Sequence, residues 1–146
     1  MHSQVSYGND FVMSEPAKPS ADAVAAWTGL LRSHHVLLSK VEANLKLAGF
    51  PPLSWYDVLI ELDRAPDGWL RQADVNARVL LAQYNLSRLV DRLVREGLVE
   101  RRQCPVDGRN NVLAITEKGR ELRAAMWPAY AAAIDASLGS RLSSHE

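Results

Sequence analysis

QYNLSRLVDRLVREGLVERRQCPVDGRNNVLAIT, residues 83–116, holds an amphipathic helix, a glycine, a short strand, a polar loop and a second strand in immediate succession. At about 100° per residue, Leu86, Leu89, Val90, Leu93 and Val94 share one side of that helix. Tyr84, Arg88, Asp91 and Arg95 share the other, flanked by Gln83, Asn85, Ser87 and Arg92. Gly97 suits the left-handed position that ends a helix. Residues 98–103 and 112–116 then read as strands, both short and the second β-branched and apolar. The loop between them, residues 104–111, is too long for a tight turn and should project. Pro105, Gly108, Asn110 and Asn111 suit that role.

A helix backed directly by such a hairpin outlines a winged helix-turn-helix, mainly α with a small β-hairpin wing. Gln, Asn and Arg on the polar face are side chains that read base edges by paired hydrogen bonds. A lone helix of this kind is more often a solvated surface helix. The hairpin behind it tips the reading towards DNA. Arg109 at the loop tip is placed to enter a minor groove, where the negative potential favours Arg. Asp107, two residues before, is expected to pair with it. The candidate DNA contacts are therefore Gln83, Tyr84, Asn85, Ser87, Arg88, Arg92, Arg95, Asp107 and Arg109.

The chain of 146 residues has no net charge, which at first argues against a polyanion partner. The distribution changes that view. Residues 71–123 hold eleven Lys or Arg against seven Asp or Glu, and the remainder holds six against ten. Ten of those eleven are Arg, which favours bidentate phosphate and base contacts. A basic segment in a neutral chain is the electrostatic footprint expected of a DNA-binding protein. A single cysteine, Cys104, excludes an internal disulfide framework. No apolar run is long enough to cross a membrane, and no signal-peptide pattern opens the chain, so the cytoplasm is the expected location. No nucleophile elbow, phosphate loop or carboxylate pair suggests an enzyme, and no cofactor is expected. His34 and His35 point about 100° apart on a helix, so they do not form a shared metal site.

Residues 1–19 read as a mobile tail and 20–146 as one domain. Residues 20–48 form a long helix with Ser20 as its cap. Val24, Trp27, Leu31, His34, Leu38, Val41, Leu45 and Ala48 follow alternating steps of three and four. Such a seam often packs against another helix, including one from a partner chain. Residues 54–65 form a second helix, with Ser54 and Asp57 at capping-box spacing. Pro66, Asp67 and Gly68 make a turn. Residues 69–71 read as a short strand that pairs with the wing, and 72–80 as a third helix. After Thr116 a last helix carries the stripe Leu122, Met126, Ala129, Ala133 and Ser137, with Pro128 inside it.

In this order the elements resemble the multiple-antibiotic-resistance regulator (MarR) family, across roughly residues 24–138. The matching segments are 53–62, LSRLVDRLVREGLVERR at 86–102, the Asp107-x-Arg109 pair, and LAITEKGR at 113–120. The resemblance implies a homodimeric, cytoplasmic transcription factor that binds double-stranded DNA at a pseudo-palindromic operator. It implies a DNA-binding lobe at about 53–116, with dimerisation helices at 20–48 and 117–142. Three positions depart from the pattern. Ala82 stands where the family usually caps the recognition helix with Ser or Thr. Asn110 and Asn111 replace further basic residues of the wing. Residues 142–146 look like the entry to a further helix that is missing, an absence expected to weaken the dimer.

Many members of the family release DNA when a small aromatic acid or phenol binds between the dimer helices and the lobe. The corresponding lining here would be Trp27, Leu31, His34, Trp55, Leu59, Met126 and Tyr130. His34 reads either as an interface histidine or as a ligand-facing group. Cys104 does not match the position of the family's redox-sensing cysteines. Arg101, Arg102 and Arg109 are near enough in sequence to lower its pKa, but an incidental thiol is the simpler account. The expected function is a ligand-responsive repressor. A winged-helix module for protein partners and a small-molecule carrier are the alternatives.

Overall fold

The structure is a computed structural model that describes residues 17–81, 85–108 and 111–142. Helix α1 (Ala21–Leu47) starts where Ser20 Oγ accepts the amide of Ala23, at 3.1 Å. The chain divides at His34 into two compact units. Within the first, the seam side chains of α1 are open to solvent: Val24, Trp27, Leu30 and Leu31 are 48, 64, 69 and 52% exposed.

The second unit holds the rest. It comprises α2 (Leu53–Arg64), β1 (Trp69–Arg71), α3 (Gln72–Arg78), α4 (Leu86–Arg95), β2 (Val99–Gln103), β3 (Asn111–Ile115) and α5 (Glu117–Ser137). A 3-10 turn at Gly139–Arg141 follows. The sheet is antiparallel with order β1-β3-β2. Trp69 to Arg71 pair with Ala114 to Val112, as the sequence predicts for this short strand. Winged-helix architecture follows: three helices, a hairpin and a long closing helix.

Two apolar clusters hold this unit. The larger joins Val58, Leu59 and Leu62 of α2 to Val75, Val90, Leu93, Leu113 and Ile115. Periodicity explains it: the buried Leu86, Leu89, Val90 and Leu93 are the apolar side of α4. The smaller packs Val41 and Leu45 of α1 against Leu53, Tyr56, Met126 and Ala133. Losing a buried Leu from either would cost about 2–5 kcal/mol.

Helix ends differ from the sequence expectations, at α2 and α3 because a side chain found a partner far along the chain. No capping box forms at Ser54 and Asp57. Instead α2 begins after Pro52, and the Leu53 amide donates to both oxygens of Glu42, at 3.1 and 3.2 Å. Asp57 is buried and accepts the amides of Leu80 and Leu81, at 3.1 and 2.8 Å. Accordingly α3 ends at Arg78, not residue 80. The α4 cap is Asn85, whose side chain accepts the amide of Arg88, so Ala82 costs the helix no cap. Asp63 on α2 meets Arg120, and also Arg123 Nε at 2.6 Å in a charge contact without hydrogen-bond alignment.

Thr116, expected in the second wing strand, is instead the N-cap of α5. Its Oγ1 accepts the amide of Gly119 at 3.0 Å and donates to the carbonyl of Gly97 at 2.7 Å. Gly97 itself has φ +73°, the left-handed turn expected there. The two segments touch so closely that a Cβ on Gly119 would lie 2.2 Å from the carbonyl oxygen of Leu98. Gly119→Ala should therefore destabilise the protein by about 1–3 kcal/mol, and thermal unfolding should show a midpoint several degrees lower. An unchanged midpoint would mean that this contact opens freely.

Candidate nucleic-acid interface

Helix α4 buries its apolar side, which forces Ser87, Arg88, Asp91, Arg92 and Arg95 outward. On the side of α2 and β2, Arg88, Asp91, Arg92 and Arg95 border a groove of about 700 Å³. Trp55, Arg88, Arg92, Arg95, Arg101 and Asp91 line it, four guanidiniums against one carboxylate. Asp91 pairs with Arg101, tying α4 to β2. Arg88, Arg92 and Arg95 have no carboxylate partner among the described residues. The Arg92 guanidinium lies 5.8 Å from the centre of the Trp55 ring, within range of a cation–π attraction that restrains a long side chain.

The other flank of α4 has a different character. A groove of about 510 Å³ runs between α3 and the start of α4, lined by Gln72, Asn76, Asn85 and Ser87. Gln72 Nε2 donates to Ser87 Oγ at 3.1 Å. One flank is thus cationic and the other carries amides and a hydroxyl. Phosphates suit the first and base edges the second.

The wing is anchored at its base. Arg71 on β1 donates to Asp107 at 2.9 Å, and its Nη2 also lies 3.7 Å from Cys104 Sγ. Asp107 thus reaches across to β1, and its expected pairing with Arg109 lies outside the described residues. Cys104 is buried, and the amides of Asp107 and Val106, followed by Arg71, hold its thiol below the ordinary value. Arg101 and Arg102, expected to act on that thiol, instead face Asp91 and Glu100. Gln83, Tyr84, Arg109 and Asn110 lie outside the described residues. Sequence reasoning missed Arg71, Gln72 and Asn76, for which only the helix-turn-helix order offered a signal. Arg101 was noted, but for the thiol and not for this groove.

The candidate ligand residues fall in several places. Trp27, Leu31 and His34 lie on the exposed first half of α1. Trp55 borders the cationic groove, and Leu59 is enclosed in the larger core cluster. Met126 is enclosed in the smaller cluster. Tyr130 forms an aromatic group with Tyr56 and Trp127, at centroid distances of 5.2 and 5.9 Å. Burial, then Tyr56 and Asp57, raises the pKa of its phenol. Among the described residues no group of three His, Cys, Asp or Glu side chains could hold a metal ion. Nor is any helix among them long and apolar enough to cross a membrane.

The comparisons agree with this architecture. The MarR family model matches residues 48–110. A MarR family transcriptional regulator from Streptomyces coelicolor, solved near atomic resolution, is 31% identical with a TM-score of 0.69, over 85% of this chain and 84% of that one. A second, from the same organism and solved in complex with DNA, is 26% identical with a TM-score of 0.75, over 89% and 81%. CouR from Rhodococcus jostii, solved bound to p-coumaroyl-CoA, is 28% identical with a TM-score of 0.66, over 86% and 85%. No curated protein matches the chain.

The two members of the Arg92–Trp55 contact should fail differently. Arg92→Ala should lower both affinity for duplex DNA and its salt dependence, by about 0.9 in the slope of log K against log salt for one phosphate contact. Trp55→Leu keeps apolar bulk and removes the ring face. It should weaken binding several-fold and leave the slope unchanged in a fluorescence-anisotropy titration. Wild-type affinity in Trp55→Leu would show that the ring does not restrain Arg92.

Proposed function

The chain belongs to the MarR family of transcriptional regulators, and from that premise we propose that it is a sequence-specific repressor released from its operator by a small aromatic or phenolic compound. The observation that carries the DNA-binding part is the face of α4. Arg88, Arg92 and Arg95 stand beside a wing tied to β1 through Arg71 and Asp107. Helix α4 would enter the major groove and its arginines would neutralise flanking phosphates. From its place in the sequence, Arg109 is assigned to the adjoining minor groove.

We assign the first and last helices to a homodimer on a pseudo-palindromic operator. The exposed Trp27, Leu30 and Leu31 on α1, and Trp127 on α5, support this, since contiguous exposed apolar side chains mark interaction surfaces. The effector class rests on two supports. One is the aromatic group of Trp127 and Tyr130 on α5, and the other is the aromatic acyl ligand of CouR. A ligand releases DNA only if it binds the form with the wrong half-site spacing more tightly.

Gel-shift titration against the DNA upstream of the chain's own gene tests the reading, with salicylate-like and cinnamate-like acids as effectors. Specific retardation that these acids reverse is the expected result. Retardation that no aromatic acid reverses would remove the effector class, and no retardation at low salt would remove the repressor. For the dimer, Leu31→Asp should halve the mass seen by light scattering without loss of helical signal, because Leu31 is 52% exposed. A monomeric wild-type chain would overturn the assignment.

A further inference from the structure

Two of the three polar side chains at the start of α4 have hydrogen-bonding capacity committed within the protein. Asn85 accepts the Arg88 amide through Oδ1, at 3.1 Å. That oxygen is turned to the helix backbone, and the amide offers Nδ2, with two donors, to the outside. Ser87 Oγ accepts from Gln72 Nε2 at 3.1 Å. Gln72 occupies the side of the hydroxyl that faces α3, which leaves its proton to point away. Arg88 carries donors alone and has no carboxylate partner among the described residues. All three side chains are exposed.

We propose that this turn is a donor-only reader that selects guanine or thymine on the strand it faces and rejects cytosine and adenine. The inference rests on the reading of α4 as the major-groove helix. Guanine presents O6 and N7 there and thymine presents O4, all acceptors. Cytosine presents the N4 donor alone, and adenine sets the N6 donor beside its single acceptor N7, so a pair of donors finds only one partner there. Opposite another donor, N4 or N6 would leave both groups unpaired in a dehydrated groove, which is costly. An asparagine ordinarily bridges adenine by accepting from N6 while donating to N7. Asn85 is poorly placed for that contact because its oxygen is turned to the helix backbone as the cap. Gln72, outside α4, becomes a specificity-determining residue, since it sets which way the Ser87 hydroxyl points. The discrimination expected at each contacted position is roughly ten- to a hundred-fold.

The test is selection of bound DNA from a random pool by the full chain, by Asn85→Asp and by Gln72→Glu. Asn85→Asp keeps a cap acceptor, and Asp caps as well as Asn, but acceptors replace its outward donors. Gln72→Glu turns the Ser87 proton inward and leaves a lone pair outward. The wild-type pool should be rich in guanine or thymine at the positions under this turn in each half-site. Replacing a selected guanine by 7-deazaguanine should weaken binding several-fold and identify the strand. Each variant should keep its thermal midpoint and move one position towards cytosine or adenine by tenfold or more. The readout is the ratio between bases, which added negative charge alone does not change. A wild-type pool rich in adenine or cytosine there, or variants with unchanged base ratios, would overturn this inference and leave DNA recognition standing. A pool with no enrichment anywhere would overturn the underlying reading of α4 as well.

Discussion

A buried carboxylate sets the geometry on which the DNA-facing surface depends. Asp57 lies on α2, is 5% exposed, and accepts the amides of Leu80 and Leu81 just after α3. Those amides belong to a segment with no ladder of its own, and they are the partners that a buried carboxylate requires. The carboxylate therefore fixes where the chain leaves α3, and with it where α4 can begin. It also explains a polar group at the centre of an otherwise apolar helix face, between Tyr56 and Val58.

The elements were legible wherever burial follows a period. The apolar side of α4, the inner face of α2 and the pairing of β1 with the wing all follow from residue spacing and side-chain type. What was not legible was which polar side chain caps which end. Asp57 and Thr116 each had a local role suggested by spacing or by neighbours, and each found another. Asp57 left its capping box for a turn more than twenty residues away. Thr116 left the wing strand for the start of α5, because the close packing of Gly119 on Leu98 brings Gly97 within its reach. Local motifs state what a side chain can do, and tertiary contacts decide among the options. Within the candidate interface, α4 and the wing could be read from sequence. Arg71 on the wing base could not, because its partner Asp107 is 36 residues away.

The neutral chain becomes intelligible once its charges are followed to their partners. Asp91 neutralises Arg101, Glu100 neutralises Arg102, and Asp63 serves Arg120 and Arg123. Exposed pairs of this kind contribute little to stability. Their larger effect is to sort the positive charge, leaving the arginines along α4 uncompensated within a molecule of zero net charge. Local field, not total charge, attracts a polyanion at close range, because salt screens interactions beyond about 8–10 Å.

The strand order β1-β3-β2 leaves the sheet open on both sides. Unpaired strand edges are templates for pairing with another chain, and proteins that keep them must guard them. Here β1 is only three residues long and runs straight into α3, too short to seat a foreign strand. The far edge, β2, reads Val-Glu-Arg-Arg-Gln, with its last three residues exposed. Its polar side chains offer a second copy no apolar strip to pair along. The residues that tie the hairpin to α4 thus also keep crowded copies from zipping into fibres.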